Sequence, residues 1–327
     1  MSAGSGSFFV PPRPEGLKPG PPPSFSVLIP LYNSASTVAE AVESALGQTR
    51  SPAEVIVCDD GSTDGPNRAL AHLSDEIVLL RQDRNRGPSV AKNAGLALAE
   101  GQFVVVLDAD DVWDPRRLEC LGCLGAERPD LDILGSDLCF EDDGRITGRF
   151  SDFNPFPETD QDLAILERCF LSNPALRRER VQLLGGFDPW LRLAEDWDIL
   201  LRLILDGARA GFVDEPLARY RRHGESLTAV PVRRLRHRVL CLRKAALYAE
   251  LSEAQREVLQ RSIAYQAGRA RRAELLSLVR ARAPGVRRQL LAYSMGYSTA
   301  RGVPLRERVR AGLASIAPRP IQRRLIS

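Results

Sequence analysis

Short apolar runs alternate with helix-like segments in the first third of the chain. The runs FSVLIPL, EVIVC and FVVVL are brief, mostly apolar and rich in β-branched residues, which predicts buried strands at residues 25–31, 54–58 and 103–107. The segments between the strands are typical of helices and place these at residues 37–48, 66–73 and 90–99. Strands that alternate with helices predict an α/β fold with a mostly parallel central sheet.

Polar clusters follow three of these strands, at residues 30–33, 59–62 and 108–111. Because ligands of such sheets bind beyond the carboxyl ends of the strands, we expect the clusters to converge. A single acidic turn is equally well explained as a cap of the next helix, but two acidic clusters on one rim favour a site. Carboxylates this close repel one another, and a divalent metal with a phosphate ligand would relieve the repulsion.

The second half of the chain changes in character towards its end. A hairpin is expected near residues 142–144, a helix that opens with Glu195 and Asp196 at residues 195–205, and a helical pattern from residue 232 onwards. The net charge of +3 conceals −14 over residues 1–231 and +17 over residues 232–327. The basic segment is either amphipathic and rests on an anionic membrane, or forms a bundle packed on the body or on another subunit.

Composition divides the chain into three parts. Residues 1–24 are rich in Pro, Gly and Ser and predict a disordered leader, because they offer little apolar surface to bury. Residues 25–231 are expected to form the sheet domain, and residues 232–327 a basic helical appendage.

Several classes of protein are disfavoured by the sequence. No apolar run is long enough to span a bilayer and no secretory signal is evident, which predicts a cytoplasmic protein, free or peripheral on the cytoplasmic membrane face. The close pair Cys120 and Cys123 has no second pair or histidines, so reduced thiols are expected rather than zinc. The basic tail lacks a nucleic-acid-binding module, so no nucleic-acid partner is expected.

Several short motifs, which occur in a characteristic order along the chain, indicate a protein family that the chain resembles. Over about residues 25–228 it resembles family-2 glycosyltransferases of the GT-A fold, a Rossmann-like nucleotide-diphospho-sugar transferase fold with helices flanking the sheet. The motifs are IPLYN from Ile29, DDGSTD from Asp59, GPSVAKNAG from Gly87, LDADDVW from Leu107, GGFD from Gly185, AEDWD from Ala194 and YRRHGES from Tyr220. Each motif is weak alone, but seven in order are specific.

The resemblance implies a nucleotide-binding set. Asp60 would accept a hydrogen bond from the nucleobase, and a carboxylate suits the imide N–H of uracil or guanine. Pro30 and Tyr32 would line the base, and Lys92 would lie near the phosphates or the base. The alternatives are a turn-forming Asp60 and a solvated Lys92.

The resemblance also implies a metal site. Asp108 and Asp110 match the family's DxD motif, in which Asp110 would bind Mn²⁺ or Mg²⁺ and Asp108 would meet the ribose or the metal. His223 would complete the metal shell, and Arg221 and Arg222 would grip the diphosphate, unless they belong to a solvated basic loop. The role of Asp111 stays open.

The same resemblance implies an inverting reaction with Asp196 as the general base and Glu195 as the second candidate. The alternative is a helix-capping carboxylate. Trp197 is either an acceptor-side wall or a core tryptophan.

The implied substrates are a nucleotide-diphospho sugar, with UDP favoured, and a glycan, lipid-linked or protein acceptor in bacterial surface polysaccharide or glycoconjugate synthesis. A non-catalytic nucleotide- or glycan-binding protein on the same fold is the alternative. A nucleotidyltransferase is disfavoured, because it would need a Gly-rich basic loop after the first strand, where this chain has IPLYNSAS.

Overall fold

The computed structural model describes residues 7–222, 231–248, 250–280, 289 and 291–292. The chain divides into two compact units, Met1–Gly224 and Glu225–Ser327. The predicted domain boundary at residues 231 and 232 stays a prediction.

The described residues form strands and helices in alternation over the first unit. The strands are β1 (Phe8–Phe9), β2 (Phe25–Leu31), β3 (Glu54–Asp59), β4 (Val78–Arg81), β5 (Phe103–Val106), β6 (Val112–Trp113), β7 (Ile133–Asp142), β8 (Arg145–Arg149), β9 (Ala175–Arg177) and β10 (Ala210–Arg222). The helices are α1 (Val38–Leu46), α2 (Pro66–Ala69), α3 (Pro88–Leu98), α4 (Arg117–Glu127), α5 (Gln161–Glu167), α6 (Arg178–Leu183), α7 (Glu195–Leu205), α8 (Pro231–Tyr248) and α9 (Glu253–Arg280), with a 3₁₀ turn at Ala71–Leu73.

The strands join into one sheet in the order β1-β10-β7-β9-β5-β2-β3-β4, with β6 paired to β10 and β8 to β7. Strands β4, β3, β2 and β5 run parallel to one another, as do β7 and β10. Strand β9 lies antiparallel between β5 and β7 and joins the two parallel parts. The predicted α/β fold with a mostly parallel sheet is confirmed.

The central strands are buried at nearly every position. Every residue of β5 is buried, and β2 and β3 are buried at all but one position each. Helices α1 and α3 pack on these strands, and the side chains of both faces are mostly apolar, so the apolar runs are continuous rather than alternating. The carboxyl ends of β2, β3 and β5 therefore lie side by side, and the polar clusters follow at those ends.

The expected disorder of the leader is wrong for residues 7–24. Phe8 and Phe9 pair with β10 as an antiparallel strand, and the ring of Phe9 stacks on that of Phe212 at 6.5 Å between centroids. The carbonyl of Pro11 accepts a hydrogen bond of 2.7 Å from Nη1 of the buried Arg128. Composition did not predict this, because two aromatic residues suffice to pair with an available sheet edge.

The second unit contains α8 and α9, which pack on each other. Leu242, Leu259 and Leu275 are among its buried apolar side chains, and Arg236 pairs with Glu274 across the two helices, with 3.2 Å between Nη2 and Oε1. Within the described part of the chain, no helix combines the length and apolarity needed to cross a bilayer.

A tight turn follows β3. Gly61 has φ = +75°, and a Cβ built on it would lie 2.7 Å from the backbone of Arg84. Gly65 has a similar φ of +82°, but a Cβ there would meet nothing within 4 Å. Both positions favour glycine through their backbone, and only Gly61 also favours it through a close approach.

This difference predicts unequal effects of two alanine substitutions. Gly65→Ala should lower the free energy of unfolding by about 1–2 kcal/mol, the cost of a left-handed L-residue. Gly61→Ala should cost roughly 1–3 kcal/mol more, because the backbone of Arg84 has to move. Denaturant unfolding of both variants measures the difference, and equal losses would show that the contact with Arg84 is unimportant.

Candidate active site

The loops after β2 and β3 are tied to each other. The backbone N–H of Asn33 donates to Ser62 Oγ at 3.0 Å, and Asn33 Oδ1 accepts from the Thr63 N–H at 2.9 Å. Asp64 Oδ2 accepts from the Ala35 N–H at 2.7 Å. The first two polar clusters therefore lie together at one rim of the sheet.

Asp60 holds the turn that precedes α3. Its Oδ1 accepts from the Arg86 N–H at 2.8 Å and its Oδ2 from the Gly87 N–H at 2.7 Å. The carboxylate is buried, yet each oxygen has a further lone pair that can accept another hydrogen bond. At the end of β2, which pairs with β3, Tyr32 exposes 47% of its surface and Pro30 is half-buried.

The carboxylates after β5 have different environments within one turn, residues 108–111, which we call the acidic turn. Asp108 and Asp110 are half-buried, whereas Asp111 is buried. Asp108 Oδ2 accepts from Asn173 Nδ2 at 3.1 Å. Asp111 Oδ1 accepts from the backbone N–H of Arg221 at 3.0 Å. Asp111 therefore connects the acidic turn to the end of β10.

Burial and like charge both act on the acidic turn. Burial raises the pKa of Asp108, the charge of Asp110 raises it further, and Lys92 and Asn173 lower it. Burial raises the pKa of Asp111 well above its ordinary range, helped by the charges of Asp108 and Asp110. The turn thus concentrates negative charge that favours a cation.

Lys92 is a cation that the chain itself supplies to Asp108 in the acidic turn. Its Nζ lies 2.8 Å from Glu195 Oε1, and the two side chains expose only 4% and 11% of their surfaces. Burial alone would lower the pKa of Lys92, but the carboxylates of Glu195, Asp108 and Asp196 outweigh it and the pKa is raised. One buried ammonium is therefore close to both the acidic turn and the start of α7.

The segment before α7 is anchored to α3. Asn93 Nδ2 donates to the Phe187 carbonyl at 2.7 Å, and Asn93 Oδ1 accepts from the Phe187 N–H at 2.8 Å. Ser89 Oγ donates to the Leu191 carbonyl at 2.9 Å. The GPSVAKNAG and GGFD motifs, far apart in sequence, thus form one structural unit that leads into α7.

Helix α7 opens with carboxylates in unlike settings. Asp196 is exposed and its Oδ1 accepts from the Trp197 N–H at 2.8 Å, whereas Glu195 is buried against Lys92. Trp197 is 2% exposed and its Nε1 donates to the Ile165 carbonyl at 2.8 Å. The burial and the hydrogen bond of Trp197 favour the core interpretation, and a role of Trp197 at the acceptor stays a prediction.

The arginines at the end of β10 already have carboxylate partners. Arg221 makes two hydrogen bonds to Glu40, of 2.8 and 2.5 Å. The guanidinium of Arg222 lies 3.9 Å from the centroid of the Phe140 ring, and its Nη1 lies 3.7 Å from Asp142 Oδ2. A diphosphate held by these same two N–H groups of Arg221 would have to displace Glu40. His223 lies outside the described residues.

Comparisons with known proteins agree with this arrangement. The sequence profile described as Glycosyl transferase family 2 matches residues 26–179. The succinoglycan biosynthesis protein ExoO of Rhizobium meliloti is 33% identical over 66% of this chain and 65% of its own length. The UDP-Glc:alpha-D-GlcNAc-diphosphoundecaprenol beta-1,3-glucosyltransferase WfaP of Escherichia coli is 28% identical over 66% of this chain and 90% of its own.

The chain contains a glycosyl transferase family 2 domain at residues 26–179. It carries the domain of a glycosyltransferase enzyme, as the motifs predict. The mannosyltransferase PcManGT of Pyrobaculum calidifontis, solved with GDP-Man and Mn²⁺, has the same fold, with a TM-score of 0.61 at 22% identity over 93% of this chain and 92% of its own. The GT-A fold predicted for this family-2 chain is thereby confirmed.

The acidic turn of this glycosyltransferase domain suits a hard divalent cation. Asp108 and Asp110 offer oxygen donors that are half-buried and mutually repelling. Among the described residues no group of three His, Cys, Asp or Glu side chains could hold a metal alone. Two carboxylates are what Mg²⁺-type ions use when substrate phosphates supply the other ligands.

Two residues that support the acidic turn were not predicted from the sequence. Arg117 is 1% exposed, and its Nη2 donates to the Asn173 carbonyl at 2.8 Å while Nη1 donates to Ser136 Oγ at 2.8 Å. Asn173 in turn donates to Asp108. Burial lowers the pKa of Arg117 to about 10, and the charge of Asp111 opposes that shift. The only sequence signal here is the dipeptide Asn173-Pro174, which indicates a turn.

The Lys92–Glu195 pair predicts a large and partner-dependent loss of stability. Lys92→Met should lower the free energy of unfolding by about 3–5 kcal/mol, because it leaves a buried carboxylate without its cation. The double variant Lys92→Met/Glu195→Leu should recover most of the loss, because no buried charge of the pair remains. Denaturant unfolding measures both.

The exposed Lys18 supplies the control. Lys18→Met should change the free energy of unfolding by less than about 0.5 kcal/mol. Equal unfolding midpoints for Lys92→Met and Lys18→Met would contradict the structural role of the ion pair.

Proposed function

We propose that this protein is an inverting glycosyltransferase that moves a sugar from a nucleotide-diphospho donor to a hydroxyl acceptor. The observation that supports this proposal most directly is the position of Lys92. Its ammonium pairs with Glu195 and is close to Asp108 and Asp196. The carboxylates suited to hold the donor and those suited to act on the acceptor thus surround one charge.

Asp196 is suited to act as the general base of the reaction. Direct displacement forms a bond from the acceptor oxygen to the anomeric carbon while the bond from that carbon to the diphosphate breaks. The acceptor proton passes to Asp196, and the electron pair leaves with the nucleoside diphosphate. Asp196 is exposed and can meet an acceptor, whereas Glu195 is buried and engaged by Lys92. Glu195 is therefore a positioning residue that fixes the first turn of α7.

Asp108 and Asp110 fit a Mn²⁺ or Mg²⁺ site. When bound, the ion would offset the negative charge that develops on the departing diphosphate. The half-buried carboxylates would hold it from the carboxyl end of β5. PcManGT was solved with Mn²⁺, which supports a divalent ion here.

A UDP-linked donor is the favoured substrate. Asp60 can accept a hydrogen bond from an imide N–H, beside Pro30 and Tyr32. Uracil and guanine both carry that donor group, and UDP-Glc in the name of WfaP favours the uridine nucleotide. The names of ExoO and WfaP also support a role in bacterial polysaccharide synthesis on a glycan or lipid-linked acceptor.

Two substitutions test this function. Asp110→Asn and Asp196→Asn should each lower sugar transfer or donor hydrolysis by about 100-fold or more, the typical value of a lost acid–base or charge-stabilising group. The assay is a screen of UDP- and GDP-sugars for Mn²⁺-dependent hydrolysis. Asp75→Asn, which removes an exposed carboxylate, is the matched control and should retain wild-type activity.

Full activity in both site variants would refute the assigned roles. Binding of UDP and Mn²⁺ in calorimetry, without turnover on any donor or acceptor tested, would instead favour a non-catalytic nucleotide-binding protein.

We also propose that residues 232–327 bring the enzyme to an anionic membrane surface, because they carry a net charge of +17. The intact protein should sediment with vesicles of 30% or so anionic lipid at low salt, and much less with zwitterionic vesicles. Deletion of residues 232–327 should abolish the difference. Equal sedimentation with both lipids would refute membrane binding through charge.

A further inference from the structure

Asn173 stands out among the residues around the acidic turn because it is held in an unusual conformation. Its φ is +45°, a left-handed conformation that Asn adopts more readily than most residues. Pro174 follows it, so the segment leading into β9 is constrained on both sides of the peptide bond. Asn173 faces the site from the segment before β9, whereas the acidic turn follows β5.

The two polar ends of Asn173 have different partners. The backbone carbonyl accepts from Arg117 Nη2 at 2.8 Å, and the side-chain Nδ2 donates to Asp108 Oδ2 at 3.1 Å. Arg117 is buried, donates to Ser136 Oγ, and lies 4.9 Å from the centroid of the Trp113 ring. A buried arginine thus fixes the backbone of Asn173, and Asn173 fixes one oxygen of Asp108.

A hydrogen bond to one carboxylate oxygen sets the rotation of the whole carboxylate plane. The carboxylate of Asp108 has about four lone-pair directions, and Nδ2 occupies one of them. The others are then held in fixed directions for a metal ion or a ribose hydroxyl. Hydrogen bonds of this kind orient metal ligands, and their loss typically weakens metal binding about 10- to 100-fold.

We infer that Asn173 is a positioning residue for the metal–diphosphate half of the site, which it serves by orienting Asp108 from the Arg117 anchor. This inference rests on the proposed function, because the proposed function assigns Asp108 to the metal–diphosphate half of the site. It adds a residue outside the seven motifs that carry the family resemblance.

Asn173→Gly is the informative substitution. Glycine tolerates φ = +45° and keeps the carbonyl that Arg117 binds, so the variant removes the side chain that carries the Nδ2 donor and leaves the contact with Arg117 in place. The affinity for Mn²⁺ in the presence of UDP, measured by calorimetry, should fall about 10- to 100-fold. In donor hydrolysis the Mn²⁺ concentration for half-maximal rate should rise likewise, while kcat at saturating Mn²⁺ stays within about threefold of wild type.

Two further variants separate positioning from a general loss of structure. Asn173→Asp keeps the left-handed preference and the carbonyl but replaces the Nδ2 donor with an acceptor, so Asp108 is no longer oriented and the Mn²⁺ affinity should differ from that of wild type by more than twofold. Asp143→Gly, at an exposed position of the β7–β8 hairpin with φ = +48°, makes the same kind of backbone change away from the acidic turn. It should leave Mn²⁺ affinity unchanged.

The outcomes distinguish the two levels of inference. If wild-type protein binds no Mn²⁺–UDP and hydrolyses no donor, the proposed function fails. If wild type binds and Asn173→Gly and Asn173→Asp bind within twofold of it, the role of Asn173 fails while the proposed function stands. A drop in kcat with unchanged Mn²⁺ dependence would likewise overturn the positioning role.

Discussion

The buried ion pair between Lys92 and Glu195 is the interaction on which the site depends. Glu195 begins α7 and Lys92 lies in α3, 103 positions earlier in the sequence. The pair is well shielded from water, so neither partner can be removed without leaving an uncompensated buried charge. Because Asp196 is the next residue after Glu195, its position follows from the pair. The hydrogen bonds of Asn93 and Ser89 to the preceding segment add to the same constraint.

The acidic residues have different roles, which depend on how deeply each one is buried. Asp111 is buried and holds the end of β10, which answers the question that its sequence left open. Asp108 and Asp110 stay half-buried, and Asp196 is exposed. An unpaired carboxylate is stable in water and costly inside a protein, so buried members bind the chain's own donors and accessible members remain suited to ligands. The same rule explains Asp60, which is buried and holds two backbone N–H groups.

Much of the fold was predictable because apolar runs of five to seven residues mark β2, β3 and β5. The position of the polar clusters at one rim of the sheet was also predictable, because the carboxyl ends of parallel strands lie at the same edge. The partners of single charges were not predictable. Lys92 looked equally suited to phosphate and to solvent, and only the tertiary structure sets it against Glu195. The ordered structure of the N-terminal segment was not predicted, because the overall composition of the segment does not reflect the two phenylalanines that pair with β10.

The two halves of the site are supported in different ways, and this difference bears on how the reaction can be organised. Asp196, the proposed general base, lies in the first turn of α7. The ion pair between Lys92 and Glu195 holds this turn in place. The acidic turn is reached from the opposite side by Arg117 through Asn173, a relay of hydrogen bonds in a segment that ends in an Asn-Pro turn. A helix end locked by a buried ion pair is rigid, whereas a single hydrogen bond of 3.1 Å can lengthen or break at modest cost. The orientation of Asp108 therefore depends on the one hydrogen bond from Asn173, whereas the position of Asp196 is expected to stay fixed through the ion pair.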